Sequence, residues 1–324
     1  MQPRRPCIVA IYGGHSARLQ LSLVSFLETI LRPVHHRGFW QAIRFLSLFF
    51  PPENAVAVSD GTWKFKIYLG DAYWARWLVD GFNYEDEVSR VLDRILRPWS
   101  LFIDCGANNG YWSLFAASKI GLNDRVVAIE AGETNFRRLC ENMELNGGSF
   151  RTLQKAVYRE SNLSLKFRTH PVRHGSNACV DSEVSGEHGY RIESVLSITV
   201  DDVFKEIWPQ NQSDEVVVKI DVEGSEIEAL KGAETLIANG ALLIYEDHGA
   251  DSACHVTAHI LKEYGLEVYF LLGNEKQILR VTDVKQLAAL KTRSHRGYNL
   301  VAARTDSPAL CRLLESLRAD ERCR

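Results

Sequence analysis

A chain of 324 residues has room for one large α/β domain or two small ones, and 46% hydrophobic against 24% charged residues is the balance of an ordinary globular protein with a sizeable core. The formal net charge of −3 supplies no global basic field for nucleic acid or an anionic membrane, and no apolar run approaches the ~20 residues that span a bilayer. The seven cysteines include no Cys-x-x-Cys pair, which argues against a disulfide framework or a zinc knuckle; Cys105, inside an apolar run, reads as a small buried hydrophobe.

The opening MQPRRPCIVAIYGGHSARLQ carries early arginines. Its apolar run Cys7–Tyr12 is too short for the core of a signal peptide and stops at Gly13-Gly14-His15, so a cytoplasmic protein is expected. Helical spacing appears over Leu21–Leu31, and Pro51-Pro52 breaks the chain. The stretch 55–74 alternates and turns at Asp60-Gly61, a hairpin signal. Glu85–Leu96 spaces its apolar residues as a helix, begins with acids as a helix N-terminus prefers, and is stopped by Pro98.

From residue 100 strands and helices alternate. Strands are expected over 100–104, 125–131, 150–158, 162–167, 215–222, 241–248, 266–272 and 298–304, and helices over 111–120, 133–147, 200–208, 225–240 and 256–265. This rhythm predicts a parallel sheet with helices on both faces. The polar segment 170–192 is long for a compact domain and reads as a mobile lid or binding loop; its histidines His170, His174 and His188 have no regular ligand spacing.

FIDCGANNG, residues 102–110, reads as strand, glycine turn and helix start, and the turn lies where a parallel sheet binds ligands. A dinucleotide fingerprint needs a glycine where Asn108 stands, and no Gly-Lys-Ser/Thr follows to make a phosphate loop. The other candidate is S-adenosylmethionine, which has no phosphate and wants a close backbone, partners for an ammonium and a carboxylate, and an acid for its ribose. Glu130, at the end of the second strand of the repeat, offers a carboxylate that accepts from both ribose hydroxyls.

FIDCGANNGYWSLFAA, VVAIEAGETNFRRLCENMELNG and VVKIDVEGSEIEALKGAETLI together resemble the FkbM family of S-adenosylmethionine-dependent methyltransferases. ITVDDVF at 198–204 and NYEDE at 83–87 are similar to two further elements of that family, and the resemblance covers roughly residues 80–250, with Lys219 to Glu226 its most discriminating part. It implies methylation of a hydroxyl oxygen, often on sugars or natural products. It also implies a class-I methyltransferase fold: a Rossmann-like α/β sheet, mostly parallel with an antiparallel late strand, behind an N-terminal helical and hairpin extension. The expected division is an extension over 1–80 for substrate or oligomer contacts, a cofactor-binding methyltransferase domain over 81–305 and a helical tail over 306–324.

The expected cofactor contacts are Asp104, Gly106, Asn108, Gly110, Tyr111, Glu130, Ala131, Asn135, Ala156, Asp221 and Glu223. Asp104 either organises the turn or meets the methionine ammonium; Gly106 and Gly110 permit close approach. Asn108 donates and accepts toward the amino-acid tail. Asn135 and Phe136 line the ribose and adenine side, though Phe136 reads equally as core. Gln154-Lys155-Ala156 ends the third strand, where backbone cradles adenine. Lys219 reads as the partner of an acid, its stem covered by the strand. The candidate catalytic residues are Asp221, Glu246 and His248, because a hydroxyl is a poor nucleophile and a positioned base takes its proton. Along YEDHG, Glu246 and His248 share one face and Asp247 takes the other. A divalent metal on Asp221, Glu246 and Asp247 is an alternative, which a solvated acidic rim explains more simply.

The expected activity is therefore O-methyl transfer to a small-molecule or glycan acceptor, with no nucleic-acid partner, no transmembrane segment and a homo-oligomer left open. The alternative is a non-catalytic module that keeps the S-adenosylmethionine-binding fold to bind or scaffold partners. An NAD-dependent oxidoreductase is disfavoured by the missing middle glycine.

Overall fold

The hairpin expected around Asp60-Gly61 forms, and the apolar run at the start of the chain joins it. Strand β1 (Cys7–Tyr12) is followed by helices α1 (Gly14–Leu31) and α2 (Phe39–Leu46) and strands β2 (Ala55–Ser59) and β3 (Lys64–Tyr68); the strands form an antiparallel sheet in the order β1-β2-β3. Cys7 pairs with Ser59 and Tyr12 with Ala55, with a bulge between Ile8 and Ala10. The computed structural model describes residues 7–31, 38–59, 61–78, 84–169, 178–179, 191–208, 215–272, 278–294 and 296–322, so Asp60 and most of the polar segment 170–192 lie outside the described residues.

Helices α3 (Ala72–Trp77) and α4 (Asp86–Ile95) lead into the alternating part of the chain. Its first half holds β4 (Leu101–Cys105), α5 (Tyr111–Ile120), β5 (Val126–Glu130), α6 (Glu133–Leu145), β6 (Arg151–Gln154), β7 (Ala156–Val157), β8 (Ser164–Thr169), β9 (Ala178–Cys179), β10 (Arg191–Ile198) and α7 (Val200–Ile207). The second half holds β11 (Val216–Ile220), α8 (Glu226–Lys231), α9 (Glu234–Ala238), β12 (Leu242–His248) and α10 (His255–His259), which a π-helical turn continues to Tyr264. Then come β13 (Glu267–Leu271), β14 (Ile278–Val281), α11 (Val284–Leu290), β15 (Gly297–Ala303) and α12 (Pro308–Arg322).

The main sheet runs β14-β13-β15-β12-β11-β4-β5-β6. From β6 to β12 every neighbour is parallel; β15 enters antiparallel between β12 and β13. This is the mostly parallel, Rossmann-like sheet with an antiparallel late strand expected above, extended at its edge by the β13–β14 hairpin, which was not expected. Strands buried on both faces read as continuous apolar runs, and alternation divides them between two cores. Phe102, Val126, Ala128, Val217, Leu242 and Ile244 face one core with α4, α5, α12 and the N-terminal sheet. Ile103, Val127, Ile129, Val218, Leu243 and Tyr245 face the other, with α8, α9 and α10.

Three expectations need correction. The strand expected over 150–158 is two: β6 belongs to the main sheet, and after Lys155 the chain crosses to β7 in a second sheet, β7-β10-β8-β9. The segment 170–192 is not wholly loop, since β9 pairs with β8 and Arg191 opens the eight-residue strand β10. The helix expected over 225–240 breaks near Gly232. A Cβ on that glycine would land on the Tyr158 carbonyl, and the Asp201 carboxylate accepts from the Thr235 and Leu236 amides to start α9 afresh.

Candidate functional site

From β4 the chain runs outward through β5 and β6, and from β11 it runs the other way through β12, so a crevice opens beyond the carboxyl ends of β4 and β11. The glycine turn fills one wall. Gly106 and Ala107 both donate to the Ile129 carbonyl at 2.9 Å, and the Asp221 amide donates to Cys105 at 3.0 Å. Gly106 has φ 78°, and a Cβ there would land on the Asp221 carbonyl. Only glycine lets these two strand ends touch. Gly110, at φ 87°, is needed for a different reason: a Cβ there would land on Leu139 of α6, so its bare Cα lets α5 start close against α6.

Glu130 locks the turn. Its Oε2 accepts from the Asn108 amide and its Oε1 from the Gly132 amide, both at 2.9 Å. Burial pushes its carboxyl up to about 7, against the lowering effect of these two donors. Asn108 adopts a left-handed conformation, φ 51°, and its Oδ1 accepts from Trp74 Nε1 at 3.4 Å.

Alternation puts Asp104, Glu130, Lys219, Asp221 and Glu246 on the same side of the sheet, since each continues a series of residues that faces the first core. At the centre is the buried Lys219, paired across the β4–β11 register with Asp104 and 2.9 Å from Asp221 Oδ2. Burial alone would lower the Lys219 ammonium, but the carboxylates of Asp221, Glu85 and Asp104 outweigh it and raise it. Asp104 is buried and raised by that burial, although Lys219 and the Ser113 hydroxyl, donating to Oδ2 at 2.6 Å, pull it down. Its Oδ1 has no hydrogen-bond partner among the described residues.

More acids ring this centre. Glu85 caps α4 in a left-handed conformation, φ 43°, and accepts from Trp112 Nε1 at 3.1 Å. Burial pushes it up to about 7, with Lys219 opposing and Asp221 and Glu87 adding to the rise. Burial, then the negative charge of Asp221, raises the half-buried Glu246 well above the usual carboxylate range. Glu223 sits at φ 50° beside Gly224, whose amide donates to both oxygens of Glu226 at 2.9 and 3.0 Å. Gly297 on β15 is bare where a Cβ would land on the Glu246 carboxylate.

The N-terminal part closes the aromatic side. Lys64 and Lys66 amides donate to Asn146 and Asn142 of α6 at 2.8 and 2.7 Å, and Arg138 pairs with the buried Asp71 at 2.8 Å. Asp71 also caps the start of α3, accepting from the Tyr73 amide at 3.1 Å. Tyr73 and Trp74 are thereby held against Tyr84, which stacks on Trp112. Burial first, then Glu85, holds the Tyr84 phenol above its ordinary range.

Not every expected residue joins this group. Tyr111 is packed among Trp63, Phe65, Trp74 and Tyr84 in the core. Ala156 is buried in β7 and packs with Phe167, Val195 and Ala131. Asn135 is buried on α6. His248 is exposed at the end of β12, its Nδ1 accepting from the Ala250 amide at 3.1 Å. Asp247 points to the opposite face, fully buried, where Lys291 donates at 2.6 Å and Thr257 at 2.7 Å. It is therefore not beside Asp221, and among the described residues no group of three acids, histidines or cysteines is arranged to hold a metal. The residues that the sequence undervalues are Lys219, read as an ordinary ion-pair partner, and Glu85, Tyr73 and Trp74, whose approach depends on how the N-terminal sheet docks.

A family model described as the methyltransferase FkbM domain matches residues 104–268, just over half of the chain. No curated protein matches the chain significantly. A methyltransferase FkbM from Methylobacillus flagellatus KT aligns at 16% identity with a TM-score of 0.39, over 64% of this chain and 44% of its own, so this chain spans less than half the length of that relative. TYW2 of M. jannaschii, solved with AdoMet, aligns at 12% identity and 0.40 over 78% and 87% of the two chains. An O-methyltransferase from Bacillus cereus, solved with SAH, aligns at 10% identity and 0.33 over 68% and 82%.

Proposed function

Because the chain belongs to the FkbM methyltransferase family, we propose that it uses S-adenosylmethionine to methylate a hydroxyl of a sugar, glycan or other small natural product. The observation that carries this reading is the gathering of Asp104, Glu130, Asp221 and Glu246 on one sheet face at the crevice where Gly106 meets the Asp221 carbonyl. Carboxylates attract a cationic cofactor and repel a pyrophosphate, which sets S-adenosylmethionine ahead of a dinucleotide. The chain's own residues fit it. The unpartnered Oδ1 of buried Asp104 suits an ammonium. Each oxygen of Glu130 has spent one acceptor site on a backbone amide and keeps another for a ribose hydroxyl.

When bound, S-adenosylmethionine supplies an electrophilic methyl group. The protein supplies position and a proton acceptor. Glu246, raised by burial, takes up a proton near neutral pH more readily than an ordinary carboxylate, and Asp221, held by Lys219, orients the acceptor beside it. His248 lies at the outer, exposed end of the same strand face. A cytoplasmic location belongs to this reading, supported by the free thiols of Cys105 and Cys254.

Calorimetry with S-adenosylhomocysteine and with NAD tests the cofactor, and labelled methyl transfer to extracted glycans and small metabolites tests the activity. Binding of the first ligand alone, with label incorporated, is expected. Binding without incorporation would favour the scaffold module, and binding of NAD instead would overturn the reading.

A further inference from the structure

Helix α1 is apolar on two opposite sides. Ala17, Gln20 and Val24 face the protein and are buried. Leu19, Phe26 and Ile30 recur at helical spacing on the side turned away and are exposed, Phe26 at 61%. On the neighbouring helix and the turn after it, Phe45, Leu48 and Phe49 are exposed at 61%, 76% and 66%, the Phe45 and Phe49 rings in edge contact at 5.1 Å. Ile8, Val9 and Ile11 of the edge strand β1 are exposed as well. So many large apolar side chains turned to solvent on adjoining elements mark an interaction surface.

Charge selects the occupant. Residues 1–50 contain six arginines, no lysine and a single acid, Glu28, within a chain of formal net charge −3. Arg18 and Arg44, next in sequence to Leu19 and Phe45, are exposed. A second copy would set Arg18 and Arg44 against the same two cations of its partner. An anionic bilayer offers acyl chains to the apolar residues and negative head groups to the arginines. No helix among the described residues is long and apolar enough to cross a membrane, so α1 would lie in the interface plane. We propose that the α1–α2 face is a docking surface for anionic lipid bilayers. Helix α2 packs on α3, which carries Tyr73 of the crevice, so docking would set the crevice near the membrane.

Co-sedimentation of the full chain with vesicles of phosphatidylcholine, with and without phosphatidylserine, tests this. Binding to the anionic vesicles should be roughly tenfold stronger and weaken with salt. The pairs Phe26→Glu/Phe49→Glu and Arg18→Glu/Arg44→Glu, all at exposed positions, should each lower it by about tenfold without moving the thermal melt. Absent binding, equal binding to neutral vesicles, or unaffected variants would overturn the proposal. So would a dimer in sedimentation velocity that Phe26→Glu/Phe49→Glu makes monomeric while vesicles stay unbound. None of these readouts depends on methyl transfer.

Discussion

Lys219 on β11 and Asp221 just past its end share one face of the sheet, and the buried Lys219 ammonium lies 2.9 Å from the Asp221 carboxylate with Asp104 beside it in register. One cation thus serves several buried or half-buried acids. Lys219→Met should cost about 3–5 kcal/mol in urea unfolding, the scale of stranding buried charge. Lys219→Met/Asp221→Asn should recover part of that loss. A single variant within about 1 kcal/mol of the parent, the scale of an exposed pair, would mean the lysine is not the hub of the cluster.

Gly106 and Gly121 both adopt left-handed backbone, φ 78° and 76°, but a Cβ at Gly121 meets open space whereas one at Gly106 meets the Asp221 carbonyl. Gly121→Ala should cost only the conformational penalty, about 1–2 kcal/mol. Gly106→Ala carries the same penalty and must also part the ends of β4 and β11. It should melt well below Gly121→Ala and lose affinity for S-adenosylhomocysteine in calorimetry. Equal melts would show that the strand ends separate at little cost.

The contrast shows what a sequence can disclose. GANNG announces a turn at a strand end, and alternation along YEDHG already separates Glu246 from Asp247. That much is local periodicity. How the strands pair decides that Asp104, Glu130 and Asp221 share the Glu246 side. The docking of Tyr73, Trp74 and Glu85 on the crevice was not legible, because it depends on Arg138 meeting Asp71 and on Asn142 of α6 and Asn146 just past it meeting β3, contacts between residues 67 to 82 positions apart. The chain's crossing from β6 to β7 is likewise decided by pairing with β10, itself concealed next to a long polar segment.

Acidity should stabilise the fold. Glu130 and Glu85 titrate at about 7 when folded, against 4.5 for an unperturbed glutamate. Between those values the folded chain holds protons that the unfolded chain has released, so stability falls as pH rises through the window. Glu246, raised to about 8, extends the fall in the same direction; Lys219, raised from 10.5, is charged in both states throughout. Buried Glu130 alone accounts for a change on the order of 3 kcal/mol across the window. Urea midpoints should fall from pH 5 to pH 8, and Glu130→Gln should flatten part of the fall. A flat profile would show these carboxyls to be ordinary.

Glu130→Ala should weaken S-adenosylhomocysteine by about 1.5–3 kcal/mol, the scale of hydrogen bonds to a charged group. It should also release the Asn108 and Gly132 amides, so the melt should drop even without ligand. Unchanged affinity in a folded Glu130→Ala protein would remove this residue from the cofactor site and leave it only the task of holding the turn.

The identity of the base separates Glu246 from His248. Both belong to β12 and to the same strand face, but their surroundings differ. His248 is exposed and its Nδ1 already accepts from the Ala250 amide. Glu246 lies across Gly297 toward Asp221, and burial raises its affinity for a proton. Glu246→Gln should therefore lower turnover by ~10²–10⁴-fold with cofactor affinity intact, while His248→Ala should lower it by less than about tenfold. Turnover in the parent should rise with pH through a transition above the ordinary carboxylate range, because the base must first lose its proton, and Glu246→Gln should abolish that rise. Chelator should leave turnover unchanged, since Lys291 and Thr257 engage Asp247 on the far face. The reverse ordering of the two variants would give the base to His248, and a loss with chelator restored by Mg²⁺ would give the acids a metal to hold.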